Sequence, residues 1–532
     1  MPVQRDDVIS ELAAFAKFLG GLHRLVRRRM SVAEALSIIQ TRLDNREANF
    51  LTSLEGSVYT NPRSPYRALL AMAGCTIEDV RELLKNEGLD GTLTRLRTEG
   101  VYVSFEEFKG LTPIVRGSLH LEPAPGDFDN PSAQRYFSST TGGSTGTGRR
   151  VRLDLKHLEA VLPTRIVVFH VQGLTGIPTA AWMDLPPAGL KGLILDIAAG
   201  EKSRHWFITR DFGWKRHAKY RAATHATLMA IRLAGGGKSR WPKHVPLERA
   251  VTLARWCRDQ VKIHGACMMY SSVSGILRIA IAARENDIDM TGVILRGGGE
   301  PPTSAKVAQI VASGATFYSS YAFSEVGTVG SSCLNATGPN DQHFMEDHLA
   351  MIQATRKVPG FDVEVPAFCF TSLLPTAAKM LLNVESDDYG SVDTRPCGCT
   401  WEKLGFSVHI RDIRSFRKLT GEGITLVGSD IERVLDQFLP GRYGGSALDY
   451  QFAEEEDSRG FTRIIIRVAP HIVVPDERKM IEFVLDSLRQ LGGGAAVAEA
   501  AWRRANTLAI RREIPAMTSR GKLLPLDIRK AG

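Results

Sequence analysis

The chain has no apolar run long enough to cross a bilayer. Its most apolar stretch, residues 161–183, is broken by Arg165, His170, Pro178 and several glycines. Nor does it open on an apolar core, since Arg5-Asp6-Asp7 stand where a secretory signal would need one. Cysteines are few, seven in number, odd in count and without framework spacing, which excludes a disulfide scaffold and points to a reducing compartment. A soluble, cytoplasmic protein is the expectation. Internal repeats and low-complexity segments are also missing. A basic stripe is lacking too: the net charge is +9, but the basic residues are scattered apart from Arg24 to Arg29, which read as a solvated helix face. This balance suits small polyanionic ligands or an acidic partner better than nucleic acid.

What is present is an ordinary globular composition, 43% hydrophobic and 23% charged over 532 residues. That length allows one large multi-layer domain and a smaller one. Residues 6–50 and 64–100 carry helical periodicity. Between 150 and 330, helical patterns alternate with short apolar runs, read as strands at Arg165–His170, Gly192–Ile197, Cys267–Tyr270, Val293–Arg296 and Thr316–Ser319. This is the rhythm of an α/β sheet covered by helices, whose ligands bind in loops at the strand ends.

The stretch Ser138-Ser139-Thr140-Thr141-Gly142-Gly143-Ser144-Thr145-Gly146-Thr147-Gly148-Arg149-Arg150 is the densest run of glycine and hydroxyl residues. Glycines let the backbone approach a ligand closely, and exposed N–H and O–H groups suit phosphate oxygens. A flexible linker has the same composition. Gly143 to Gly148 have P-loop spacing, but Arg149-Arg150 replace the Lys and Ser/Thr that motif requires. Gly142-Gly143-Ser144-Thr145-Gly146 also spells G-x-S-x-G, a hydrolase nucleophile elbow at Ser144, although Tyr136 to Thr140 are polar for the buried strand that should precede it.

Read from Thr141 to Arg149, the loop resembles the S-S-G-T-T-G-K-P-T loop of the adenylate-forming superfamily of acyl-CoA synthetases and adenylation domains. Gly143, Thr145 and Gly146 are identical to that pattern and Gly148 replaces its proline. Further strings follow in the family's order. Gly297-Gly298-Gly299-Glu300-Pro301 resembles the G-x-E-P turn beside the adenine. Tyr321-Ala322-Phe323-Ser324-Glu325 resembles Y-G-x-[ST]-E, and Asp388 with Gly390 fits T-G-D-x-G. Arg414 falls on the arginine of the hinge, although its neighbours depart from that motif. Thr518-Ser519-Arg520-Gly521-Lys522 resembles the T-x-S-G-K string that carries the adenylation lysine. The start of the chain, from Ser64-Pro65-Tyr66-Arg67 on, is similar to phenylacetate-CoA-ligase-like members.

The resemblance implies a large N-terminal multi-layer α/β domain, residues 1–413, and a small mobile α+β C-terminal domain, residues 414–532. It implies that ATP is held by Thr141, Gly142, Gly143, Ser144, Thr145, Gly146, Gly299, Glu300, Pro301, Tyr321 and Asp388. Glu325 would hold Mg2+, and Ser324, Arg414 and Lys522 would act on the phosphates. The reaction implied is activation of a small carboxylic acid, aryl or medium-sized, as its adenylate, then transfer to coenzyme A. A carrier protein or an amine is the other acceptor, and a second copy of the chain is a further partner. A hydrolase at Ser144 and a non-catalytic nucleotide-binding protein are the readings from other classes. Finally, Cys397-Gly398-Cys399 with Cys333 and His343 supplies three thiolates and an imidazole for a structural zinc ion, His348 being the alternative imidazole. Buried thiols without metal are the competing reading.

Overall fold

The computed structural model describes residues 18–132, 137–141, 149–183, 188–200, 204–209, 218–233, 241–299, 301–323, 325–357, 364–415, 420–421, 424–425, 432–456, 462–491, 495, 499, 502–503, 506–517, 523 and 526–527. Two short antiparallel ribbons come first, β1 (Ile114–Arg116) with β2 (Leu119–Leu121), and β3 (Phe137–Thr141) with β4 (Arg149–Leu153). The strands of the main sheet are β5 (Thr179–Trp182), β6 (Arg204–Ile208), β7 (Lys243–His244), β8 (Cys267–Ser272), β9 (Val293–Gly298), β10 (Thr316–Phe323), β11 (Gly327–Ser331), β12 (Gln342–Phe344), β13 (Leu349–Lys357), β14 (Glu364–Ser372), β15 (Val384–Thr394) and β16 (Val408–Ser415). They form one 12-stranded sheet in the order β13-β14-β15-β16-β12-β11-β10-β9-β8-β5-β6-β7.

The sheet has two halves of different grain. From β7 through β6, β5, β8 and β9 to β10 every pairing is parallel. From β10 to β13 every pairing is antiparallel. Parallel strands need crossovers, and the sequence supplies them as helices on both faces. Met268, Tyr270 and Ile294 face one layer, made with the helices Leu155–Val171 and Ala188–Ala198. Met269, Val293 and Leu295 point the other way, into the layer of Ala250–His264 and Val273–Glu285. The alternation follows from the two-residue period of a strand. The chain moves outward from β5 to β6 and β7, then returns to β8 and proceeds the other way to β9 and β10. That reversal makes the β5/β8 junction a topological switch point, where a crevice opens beyond the carboxyl ends of the strands.

Two stretches read as strands from sequence are helical. Arg165–His170 lies inside Leu155–Val171 and Gly192–Ile197 inside Ala188–Ala198. The physical reason is burial: Ile166, Val167, Val168 and Phe169 are all buried, so no polar face exposes the helical period. Near the start, helices Val32–Asp44, Arg46–Leu54, Pro65–Met72 and Ile77–Thr98 occupy the stretches with helical periodicity, the last kinked at Gly88. Residues 6–17 of the first expected stretch lie outside the described residues.

The C-terminal region is smaller. A two-residue ribbon, β17 (Thr420–Gly421) with β18 (Ile424–Thr425), follows the main sheet. β19 (Tyr450–Glu456), β20 (Thr462–Val468), β21 (Leu508–Arg512) and β22 (Leu526–Asp527) then form a four-stranded mixed sheet in the order β21-β20-β19-β22. Its core gathers Tyr450, Phe452, Ile464, Ile466 and Trp502 against the helix Glu477–Leu491. The large region is continuous past the residue expected to begin the small one, because β16 runs to Ser415 with Arg414 opposite Tyr389. Lys306 pairs with Asp436 at 3.7 Å, and Ala447, Leu448 and Leu523 join the layer built on Ala250–His264 and Val273–Glu285. No helix among the described residues is long and apolar enough to cross a membrane.

Candidate active site and metal centre

The parallel and antiparallel halves meet at β10 and β11, and three predicted residues gather near that seam. Tyr321, near the end of β10, has its backbone N–H fixed by Gln342 Oε1 at 2.8 Å. Its hydroxyl donates to Asp388 Oδ2 at 2.6 Å across the sheet. Burial and the Asp388 charge push the phenol well above its usual range, so it stays a proton donor. Asp388 sits in β15, its backbone N–H bonded to Ser386 Oγ at 3.1 Å. Glu325 follows β10, is 8% exposed, and accepts from Lys109 Nζ at 3.3 Å. Glu325 and Asp388 line one cleft, whose walls include Phe105, Lys109, Phe323 and Asp387.

Three more of the predicted residues border this group. Gly299 directly follows β9 with φ +75°, an angle that favours glycine, and Pro301 is two residues on. Arg414 on β16 lies opposite Tyr389, with Ser415 opposite Asp388, so the arginine is one position from the carboxylate in the register. Thr141 ends β3, its backbone paired with Arg149. Gly142, Gly143, Ser144, Thr145, Gly146, Gly148, Glu300, Ser324 and Lys522 lie outside the described residues. The flanks of two of these segments are informative. The glycine loop joins two antiparallel strands, whereas a nucleophile elbow at Ser144 and a P-loop both need a strand followed by a helix. Met517 and Leu523, on either side of Lys522, form an antiparallel bridge and pack on the helical layer of the large region.

Two lysines escaped the sequence reading. Lys109 follows a short helix, Phe105–Phe108, held at its start by a Ser104/Glu107 capping box, and nothing local in the sequence aims the lysine at Glu325. Lys191, in Ala188–Ala198, has Nζ 3.9 Å from where a Cβ on Gly327 would stand. Burial pushes its amine down to about 8, against the opposing pull of Glu325.

The second centre lies at the other end of the antiparallel strands. Cys333, His343, Cys397 and Cys399 present ligand atoms all within 4.8 Å of one another. His343 Nε2 is 3.5 Å from Cys397 Sγ and 3.1 Å from Cys399 Sγ, near the roughly 3.5 Å edge of a tetrahedron with Zn–S and Zn–N bonds of about 2.3 and 2.0 Å. The carbonyl of Phe406 faces His343 Nδ1 at 2.8 Å, which puts the ring proton there and turns the Nε2 lone pair toward the thiols. Burial holds the imidazole down to about 4 and pushes Cys333 up to about 12, with Cys399 adding to the second effect. A cation entering this group would displace thiol protons. Glu402 Oε2 accepts from Cys397 N at 2.8 Å and shapes the C-x-C turn. The donor set and its spacing fit zinc. His348, the alternative imidazole, is engaged elsewhere, with Nδ1 2.7 Å from Asp347 and Nε2 2.8 Å from the Thr328 carbonyl.

A larger cavity, about 450 Å³, opens at the β6/β7 edge between Trp241, Trp256 and His264, and it holds none of the predicted site residues.

No family model matches the chain, and no curated protein matches it. Among solved structures it is similar to a 2-hydroxyisobutyryl-CoA ligase in complex with 2-HIB-AMP and CoA, with 15% identity, 95% of this chain and 92% of that one covered, and a TM-score of 0.42. It is also similar to the anthranilate-CoA ligase AuaEII in complex with anthranoyl-AMP, with 13% identity, coverage of 76% and 67%, and a TM-score of 0.45. A third is ATP-bound MatB from Rhodopseudomonas palustris, with 13% identity, coverage of 93% and 92%, and a TM-score of 0.41.

Proposed function

We infer that the protein activates a small carboxylic acid with ATP, forming an acyl-adenylate and pyrophosphate, and then passes the acyl group to a thiol, coenzyme A being the default acceptor. The observation that carries this reading is the convergence of Tyr321, Asp388 and Glu325, 67 positions apart at the extremes, at the carboxyl end of β10. Their order along the chain is that of the adenylate-forming pattern they resemble.

Asp388 accepts the ribose hydroxyls, and the Tyr321 hydroxyl fixes the rotamer of that carboxylate by occupying one of its acceptor positions. The turn around Gly299 leaves backbone for the purine to lie on. Glu325 holds Mg2+, which when bound neutralises phosphate charge. The substrate carboxylate attacks the α-phosphorus and pyrophosphate leaves in line. Arg414, one register position from Asp388 on the neighbouring strand, is assigned to the α-phosphate, to which a guanidinium makes charge-assisted bonds. Lys522 is assigned to the same developing charge, carried in by the small domain. Most of the rate enhancement is positioning and charge neutralisation, worth several kcal/mol per well-placed donor. Domain exchange then admits the thiol. The four-residue Cys/His group holds a structural zinc ion that pins the segment after β11 to the C-x-C turn.

The test is exchange of labelled pyrophosphate into ATP. Purified protein offered a panel of acids should catalyse exchange only when a suitable acid is present, and Lys522→Ala should abolish it while ATP still binds. Ester hydrolysis without ATP would contradict the reading.

A further inference from the structure

Arg296 stands in the middle of β9 and is 2% exposed. Its register partners are Tyr270 on β8 and Tyr318 on β10, so one guanidinium is flanked by two phenols on the same sheet face. That face is the one covered by Leu155–Val171 and Ala188–Ala198. Its Nε and Nη1 are sealed from solvent without a hydrogen-bond partner, and no carboxylate among the described residues pairs with it. The adjacent charge has the same sign: Arg165 reaches in from the covering helix, itself bonded through Nε to Asp196 Oδ1 at 2.6 Å. Burial first, and Arg165 second, push the Arg296 guanidinium down to about 9. A fold gains nothing by sealing in an unneutralised guanidinium, so the missing partner is an anion from outside.

The path to that anion starts at the candidate active site. Gly298 is two residues further along β9, on the same face, and lies about 7 Å away at the usual strand rise. A Cβ there would stand 2.9 Å from Ser320 Oγ and 3.0 Å from Tyr270 Oη, so only glycine fits, and two hydroxyls line the stretch between the carboxyl end of β9 and Arg296.

Resting on the acid-activating reading above, we propose that Arg296, with the hydroxyls of Tyr270 and Tyr318, holds a second carboxylate of the substrate, which is therefore a dicarboxylic acid activated at one end. One carboxylate reacts beside Glu325, and the other sits about 7–10 Å deeper, a span of roughly five to seven bonds. The guanidinium fork takes both oxygens of that carboxylate, and the phenols complete its hydrogen bonds.

The experiment compares pyrophosphate exchange with matched pairs, adipate against hexanoate and terephthalate against benzoate, in wild type, Arg296→Met and Arg296→Lys. Wild type should show a KM for the diacid at least 100-fold below that for the matched monoacid. Arg296→Met should reverse the preference and Arg296→Lys should keep part of it, since a lysine retains charge without the fork. Wild type preferring the monoacids, or Arg296→Met keeping the diacid preference, overturns the proposal. Exchange with no acid at all would defeat the activation reading instead. Thermal shift then decides the site: diacid raising the melting temperature of wild type but not of Arg296→Met upholds it, and no shift in wild type overturns it.

Discussion

Two arginines inside the same sheet have opposite surroundings. Arg356 on β13 donates through Nη1 to Glu385 at 2.7 Å and through Nη2 to both oxygens of Glu106 at 2.8 Å, and Arg97 joins it on Glu385. Burial alone would lower its pKa, but the two glutamates outweigh burial and raise it. Arg296 on β9 has burial and a second cation and no anion. The first arginine belongs to the folded chain's own charge balance, and the second is out of balance until something binds. The antiparallel half of the sheet is thus closed electrostatically where the parallel half is open, and the opening lies on the strands that end at Gly299 and Tyr321.

The sharpest way to break this comparison is to remove each charge. Arg356→Met takes a cation from Glu106, leaves Glu385 to Arg97, and should cost about 3 kcal/mol in urea unfolding. Arg296→Met, measured without ligand, should be neutral or stabilising, because a methionine fills similar volume and no buried anion loses its partner. Equal losses in both would erase the distinction.

The thiol group is a second place that waits for an ion. Chelation, or Cys399→Ser, should release one zinc per chain and lower the melting temperature by roughly 5 °C, about 2 kcal/mol for a region of this size. Elemental analysis of the purified protein checks the stoichiometry, and absence of zinc would contradict the assignment of the four clustered donors, Cys333 and His343 buried and Cys397 and Cys399 partly so. A smaller effect is expected at Gly298→Ala, where the added methyl meets Tyr270 Oη and Ser320 Oγ. The KM for acid should rise about tenfold with stability changed by less than about 1 kcal/mol.

The last effect concerns Lys191 and is confined to alkaline pH. Its folded value of about 8 lies below the unfolded value of 10.5, so the unfolded chain binds more protons in that window. Stability of the ligand-free protein should therefore rise with pH from about 8 toward 10.5, and Lys191→Met should flatten the rise. A wild type that loses stability across that window at the same rate as the variant would remove the lysine from the open half.

How much of this was legible follows the same division. Tyr321, Glu325, Asp388 and Gly299 were named by the resemblance of short strings to the adenylate-forming pattern, and the fold gathers the first three although 67 positions separate the extremes. The Cys/His group was found because thiols and imidazoles are rare enough to count. Arg296 was missed because its meaning depends on what covers β9. The covering helices Leu155–Val171 and Ala188–Ala198 hide their period by being buried on nearly every side, and their centres read as strands. Lys109 and Lys191 were missed for a related reason, since only the tertiary fold brings their ammonium groups toward one carboxylate.

The central claim is that Glu325, Tyr321 and Asp388 together hold a magnesium nucleotide, and calorimetric titration of ATP with and without Mg2+ tests it directly. Wild type should bind ATP more tightly when Mg2+ is present, and Glu325→Gln should lose that gain while still binding ATP in its absence. ATP producing no heat in wild type, or an unchanged Mg2+ dependence in Glu325→Gln, would contradict the account.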